Sequence, residues 1–488
     1  MDKVMIAMAA LPLVASLISW FASARIAKTV SIGTGSISFL LAIVLIPIVI
    51  KDGSASIGSF FFVDPLSLVF LIPTAFLYSA TSIFSAGYIR VPTGSSGVRY
   101  IKHFQAGLNL FCWAMIMALI VNGLALLWVA IEITTVISAL LVAIDDTERA
   151  TEAAWKYLLL ASLGLGIGLL ATIFIYYSAA TVLGQSHGLS FSNLLAGSSE
   201  FPHQVVRLAF VLAVVGYGTK VGFFPVHTWL PDAHSEAPTP VSALLSGSLL
   251  SVSFYAILRF FQITERSVGK AFPQNVLLIF GLATLLIAAL YLISQRDVKR
   301  LLAYSSIEHM GILAIGMSFS APIAVFGVLL HVIAHAFAKG GAFFGAGSLL
   351  RKFQTKDLAK ITGGIGLLPA TGPMFVLAIL ALSAMPPFGI FRSEFLIVMG
   401  GLQSHNDVAA ATLVVLITLA FFGLTYYVTQ TMLTPAAEPI HSPVVGEPSF
   451  YIVAAMGLCL VGLVILGIHP PGQLVTLLNH AANELEVL

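Results

Sequence analysis

Apolar runs of membrane-crossing length recur along this chain from residue 4 to residue 468, and that recurrence decides the fold class before any motif is read. A helix needs roughly 20 residues to cross about 30 Å of hydrocarbon. By that rule about fourteen spans fall near residues 4–21, 29–50, 66–88, 104–121, 124–144, 156–178, 205–224, 239–261, 274–293, 300–318, 321–348, 371–400, 408–432 and 450–468. The fourth and fifth are parted mainly by Asn122 and Gly123. Barrel strands alternate over about 10 residues, whereas these runs are continuous, so a β-barrel is excluded. Only 9% of the 488 residues are charged and 58% are hydrophobic, against about 25% charged in a soluble domain. The reading is an all-α polytopic membrane protein embedded in a lipid bilayer. Val4 to Trp20 lacks an extended basic n-region and an A-x-A cleavage site, and reads as the first membrane helix.

A formal charge of +2 offers no basic surface for nucleic acid, so charge is informative only by position. Arg25 and Lys28, Arg90, Arg99 and Lys102, Arg149 and Lys156, Arg296, Lys299 and Arg300, and Arg351, Lys352, Lys356 and Lys360 all fall in odd-numbered connections. They outnumber Lys51, Arg207, Arg259, Arg266 and Lys270 of the even ones by roughly three to one, which puts odd connections in the cytoplasm and both termini outside. Cys112 and Cys459 lie in separate apolar segments and read as small buried hydrophobes. With no haem, iron–sulfur or zinc ligand set in the sequence, no cofactor is expected in this chain. A catalytic role is also unsupported, since no nucleophile stands at motif spacing from a base and no Gly-rich phosphate loop is present.

Two spans are interrupted by proline. The seventh reads GYGTKVGFFPVHTWLPDAH, with Lys220 before Pro225; the twelfth reads ALSAMPPFGIFRSEFLIVMGG, with Pro386 and Pro387 before Glu394. Proline removes a backbone donor and clashes with the preceding turn, so each helix should break or kink there. Broken helices in a bilayer persist only where protein or a water-filled cavity satisfies the freed groups. Interruptions five spans apart predict two five-helix repeats, inverted relative to each other because five is odd. The expected organisation is residues 1–103 for helices 1–3, 104–262 for a first half-channel repeat, 263–432 for a second, and 433–488 for the last helix and tail.

Ionisable groups inside the spans need a partner, a cavity or a function, since each costs at least about 2.5–3.5 kcal/mol at the bilayer centre. Glu132 sits alone in LLWVAIEITTVISALLV, and Lys220 is flanked by Gly216, Gly218 and Gly222, which leave room for water or a neighbouring helix. The two read either as an ion pair that pins helices or as a pair that exchanges protonation states. His331, His335 and Lys339 recur every four residues and so form a stripe on one helix face. Histidine, with an ordinary pKa of about 6.5, suits a proton relay. Metal ligation by His at i, i+4 is the alternative, weakened by the lack of a Cys or carboxylate in that span. Glu308 and His309 lie about two turns into the tenth span, Glu308 as a counterpart of Glu132. Glu394 reads as a terminal proton acceptor, or as a local salt bridge with Arg392. His227, Asp232, His234 and Glu236, in VHTWLPDAHSEAPTP, read as a cytoplasmic feed for protons or as a solvated turn.

WVAIEITTVISALLV, GTKVGFFPVHTWLPDAHSEAPTPVSALLSG, DVKRLLAYSSIEHMGIL, HVIAHAFAKGGAFF and PPFGIFRSEFL, in this order from about residue 120 to 400, resemble the antiporter-like membrane subunits shared by respiratory complex I, Mrp sodium/proton antiporters and energy-converting hydrogenases. EAAWKYLLLASLGLGIGL and ALLSGSLLSVSFYAILRF look most like component F of hydrogenase-4 and formate hydrogenlyase-type complexes. The resemblance implies fourteen helices with inverted repeats, a Glu132–Lys220 charge pair in the first half, His331, His335 and Lys339 joining the halves, and Glu394 at the key place of the broken twelfth helix. Many complex I homologues carry a titratable residue where this chain has Ser246, so a link there depends on water. The long lateral helix of the most distal complex I subunit is absent from the HPPGQLVTLLNHAANELEVL tail.

The expected function is proton translocation in a bacterial or archaeal cell membrane. The expected partners are other membrane subunits and peripheral hydrogenase-like or quinone-reductase-like iron–sulfur subunits. Sodium/proton exchange of the Mrp type, and service to an inorganic-carbon uptake pair, are the alternatives.

Overall fold

The structure, a computed structural model, describes residues 2–89, 95–184, 189–434 and 445–485; Arg90, counted above among the positive residues, lies outside them. Six helices make the first part: α1 (Asp2–Phe21), α2 (Ala24–Asp52), α3 (Pro65–Tyr88), α4 (Ser95–Ile120), α5 (Leu124–Val142) and α6 (Glu148–Leu183). A hairpin of β1 (Ala55–Ile57) and β2 (Phe61–Val63) joins α2 to α3. Asp64 then caps α3, accepting from Ser67 N at 2.8 Å while the Ser67 hydroxyl accepts from Asp64 N, so two orphan donors are satisfied. Next come α7 (Phe191–Gly197), α8 (His203–Val221), α9 (Trp229–Glu236), α10 (Thr239–Leu244), α11 (Leu250–Val268), α12 (Ala271–Leu292), α13 (Val298–Phe319) and α14 (Pro322–Phe353). The chain ends in α15 (Gly364–Leu367), α16 (Thr371–Leu382), α17 (Gly389–Gln403), α18 (Asp407–Leu433), α19 (Phe450–Ile468) and α20 (Gly472–Leu485).

Among the described residues, twelve helices are long and apolar enough to cross a membrane, counting α10 and α11 as one continuous span. The two proline segments do break their helices. Between α8 and α9 the chain turns at Gly222, whose φ of 93° is left-handed and strained for any other residue. Between α16 and α17 it passes through Ser383–Phe388, and each break contains a cis bond, at Phe224–Pro225 and Pro386–Pro387. Pro12, Pro47 and Pro73, by contrast, sit inside unbroken α1, α2 and α3.

Large apolar side chains lie both in the core and on the outer surface, while several ionisable groups are wholly enclosed. Leu163, Ile279 and Phe422 are 68%, 67% and 62% exposed, while Lys220, His335 and Lys339 have no exposed surface. Lipid is as apolar as leucine, so nothing drives large aliphatic side chains inward, and close packing of small residues holds the helices together. At Gly216 of α8 an added Cβ would lie 2.5 Å from the Gly168 nitrogen of α6, so only glycine permits that approach. The least exposed spans are α10–α11, α3 and α14, whereas two-thirds of α1, α18 and α19 face outward. The buried Glu, Lys, Arg and His side chains within the spans lie on α8, α11, α13, α14 and α17, while buried serines and threonines also line α3 and α5.

Candidate functional site

Lys220 stands one residue before the end of α8, where the helix stops at the glycine turn. Its ammonium donates to the Ile131 carbonyl at 3.2 Å, to the Thr134 hydroxyl at 2.9 Å and to the Thr135 hydroxyl, all on α5, and lies 5.8 Å from the Tyr157 ring centre. Glu132, on the same turn of α5, is half-buried; its Oε1 accepts from Ser162 of α6 at 2.8 Å and its Oε2 has no protein partner. The structure thus places Lys220 against the turn that carries Glu132 without a direct ion pair. Threonine hydroxyls, not the carboxylate, make the first contacts. They were not singled out in the sequence because Ser and Thr in membrane helices ordinarily bond to their own preceding carbonyls, as Thr134 also does to Ile131 O at 2.5 Å.

Ser246 lies inside a five-residue π-helical segment, Leu245–Leu249, that joins α10 to α11. The wider turn carries no sequence signature, yet such bulges recur at functional sites. The Ser246 hydroxyl meets that of Ser306 on α13 at 2.6 Å, with both side chains fully buried. About one turn before Ser306, Lys339 of α14 donates at 3.1 Å to the Leu302 carbonyl of α13, which also accepts from the Ser306 hydroxyl at 2.9 Å. Glu308 is buried with Oε2 unpartnered and forms no ion pair with Lys339 within 4 Å.

The second half closes around three helices. His331 Nε2 lies 3.1 Å from His309 Nδ1, and His331 Nδ1 lies 2.9 Å from the Ser393 hydroxyl. That hydroxyl donates to Ile390 O at 2.8 Å, so it must accept from His331 Nδ1–H. The network therefore leaves a lone pair on His331 Nε2, and His309 donates to it through Nδ1–H. His309 Nε2 is bare, and Glu394 Oε1 lies 3.8 Å from His309 Nδ1. Arg392 makes no ion pair with Glu394 among the described residues; the neighbour of the carboxylate is His309. His335 packs its ring 5.1 Å from that of His309 with neither ring nitrogen partnered. Along the predicted stripe, then, His331 is bonded and His335 is not.

Toward the other end, His234 is fully buried on α9 with both ring nitrogens unpartnered, its ring 5.6 Å from Phe343. His227 is buried beside the Phe224 ring at 5.8 Å, with Nδ1 unpartnered. Glu236 pairs with Lys356 at 2.6 Å, Lys356 reaches Asp297 at 3.6 Å, and Asp232 pairs with Arg300 at 3.0 Å and with Lys156 at 3.6 Å. This segment is a partly buried charge network rather than a solvated turn. Lys299, counted above only among the positive residues of the odd-numbered connections, is buried and caps the short α9 by donating to Ser235 O at 3.2 Å and to Ala237 O. A second buried pair, Arg259–Asp64 at 2.6 Å, lies apart from these residues.

Residues 121–420 match the family described as NADH:quinone oxidoreductase/Mrp antiporter, TM. A hydrogenase-4 component F homolog from Methylacidiphilum infernorum is 38% identical over 364 residues, covering 74% of this chain and 76% of the relative. NADH-quinone oxidoreductase subunit N of Desulforudis audaxviator is 31% identical over 366 residues, covering 74% and 70%. The fold matches that of chains in the archaeal membrane-bound sulfane sulfur reductase (TM-score 0.86, 20% identity, 99% of this chain and 98% of that chain) and in respiratory complex I of Thermus thermophilus (TM-score 0.82, 21% identity, 99% and 100%). Both of those chains are subunits of multi-subunit membrane complexes. The chain belongs to the NADH:quinone oxidoreductase/Mrp antiporter membrane family, as a multi-pass, antiporter-like subunit.

Proposed function

We propose that this chain conducts protons across a cell membrane as one subunit of a redox-driven complex of the hydrogenase-4, formate hydrogenlyase or complex I type. The observation that carries the reading is the hydrogen-bonded, fully buried His309–His331 pair with Glu394 beside it and Lys339 and Glu308 behind it. A proton arriving on His309 Nε2 makes an imidazolium, which releases the Nδ1 proton to His331 Nε2 or toward Glu394 Oε1. Neither ring turns over, and the charge advances by one residue. Glu132, Lys220, His227, His234, Glu236 and Ser246 form the earlier part of the line, with the Ser246 hydroxyl passing on to that of Ser306 through their direct 2.6 Å bond.

Fourteen crossings follow if α13 and the broken α16–α17 pair are added to the twelve long apolar helices. The breaks in the seventh and twelfth crossings support two inverted repeats, at 104–262 and 263–432. The lysine and arginine distribution supports cytoplasmic odd connections and both termini outside. Peripheral iron–sulfur subunits would supply the redox energy, which the similarity to a hydrogenase-4 component F homolog supports.

Lys220→Ala tests the role of the line. Donor-driven proton movement in membrane vesicles should fall at least about tenfold while the chain still co-purifies with its partners, because the substitution removes a buried charge and uncovers only hydroxyl and carbonyl acceptors. Loss of the complex from the membrane, or unchanged proton movement, would overturn that role.

A further inference from the structure

The geometry points to a binding site for a zinc-type divalent cation made by His309, His331 and Glu394. One ligand atom from each of these three buried residues lies within 4.8 Å of the other two. His309 Nδ1 is 3.1 Å from His331 Nε2 and 3.8 Å from Glu394 Oε1. Zinc bonded at about 2.0–2.1 Å to tetrahedral N and O ligands sets those atoms roughly 3.3–3.4 Å apart, between the two distances found here. Two imidazoles and one carboxylate, with a fourth position open to water, are a recurrent zinc set. Hard ions that require six or more oxygens are poorly served by it.

Three further features fit a ligand set. The Ser393 hydroxyl takes the proton of His331 Nδ1, which orients that ring and presents Nε2 as a lone pair, the outer-shell arrangement that tunes metal-bound histidines. Glu394 Oε1 is buried without a hydrogen-bond partner. His309 can shift its proton from Nδ1 to the bare Nε2 and so free Nδ1 for the metal without net loss of charge. Opposing electrostatics come from Lys339 of the neighbouring α14 face, offset by Glu308. The three residues come from α13, α14 and α17, so a metal there would tie the broken helix to its neighbours and occupy both nitrogens through which the proposed relay runs. The binding claim stands on geometry alone; only its effect on protons rests on the proposed function.

The test uses the intact complex in lipid nanodiscs, treated with chelator and then equilibrated with Zn2+. Equilibrium dialysis should find one tightly held Zn2+ per chain that is absent in Glu394→Gln. X-ray absorption should show a shell of nitrogen and oxygen near 2.0–2.1 Å with imidazole scattering. Ser393→Ala keeps all three ligands and should weaken binding by about 10–100-fold. Size-exclusion profiles establish that both variants remain assembled. No tightly held Zn2+, or equal binding in wild type and both variants, would overturn the site. Zinc held with the expected shell while donor-driven proton movement continues would leave the site standing and overturn the relay through His309 and His331.

Discussion

His331 and His335 are one turn apart on α14 and equally buried, yet they are bonded differently. His331 is fixed at both nitrogens, by Ser393 and His309, while His335 has no protein partner. Truncating either to alanine leaves a cavity of the same size. Only His331→Ala also strands a buried donor, on His309, and an unpaired buried group costs about 1–3 kcal/mol. Thermal unfolding in detergent should therefore find His331→Ala less stable than His335→Ala by about that amount, and equal stabilities would mean that the His309–His331 bond contributes nothing. The three-residue stripe of His331, His335 and Lys339 was legible in the sequence from its spacing. The partner of each ring was not, because Ser393 and His309 arrive from other helices.

Among the elements, the amphipathic α20 shows how a segment outside the spans is held. Glu484 accepts from the first turn of α3 at Leu66 N (3.2 Å), and Gln262 of α11 donates to the Glu484 carbonyl at 3.0 Å. Burial, and then the nearby Asp64, push the Glu484 carboxyl up to about 8, against the opposing pull of Arg259 and Arg266. In the undocked helix the same carboxyl returns to an ordinary value near 4.3. Because the docked form holds its proton more tightly, the contribution to docking is fully present below about 4.3 and is lost progressively as pH rises toward 8. Amide exchange in α20, corrected for the intrinsic pH dependence, should be faster at pH 8.5 than at pH 6, and Glu484→Gln should flatten that difference. Equal protection at both pH values in the native chain would show that the carboxyl does not govern docking. The tail was read from sequence as a short remnant. Its helix is too short to span a membrane, and its docking contacts are made by Leu66 and Gln262, about 400 and 200 residues away.

At the level of the whole molecule, the proposed line runs through both broken helices, so its ion specificity belongs to the assembled bundle. A relay of imidazole, ammonium and carboxyl groups carries protons and offers no cage of oxygens for Na+. Donor-driven proton uptake should accordingly be unchanged, within about twofold, when K+ replaces Na+ in membrane vesicles; proton movement that requires Na+ and no electron donor would instead establish sodium exchange. The sequence by itself determined the solvent of the fold, the broken helices and most of the buried titratable residues. Each follows from local physics: hydrocarbon thickness, the missing donor of proline, and the cost of charge in lipid. Only the tertiary structure decided that Lys220 rests on threonines rather than on Glu132, that Ser246 meets Ser306 across a π-helical turn, and that Glu394 faces His309 instead of Arg392. Those contacts are made between helices. Spacing along one helix states which residues share a face, and the packing of small residues between helices sets what that face meets.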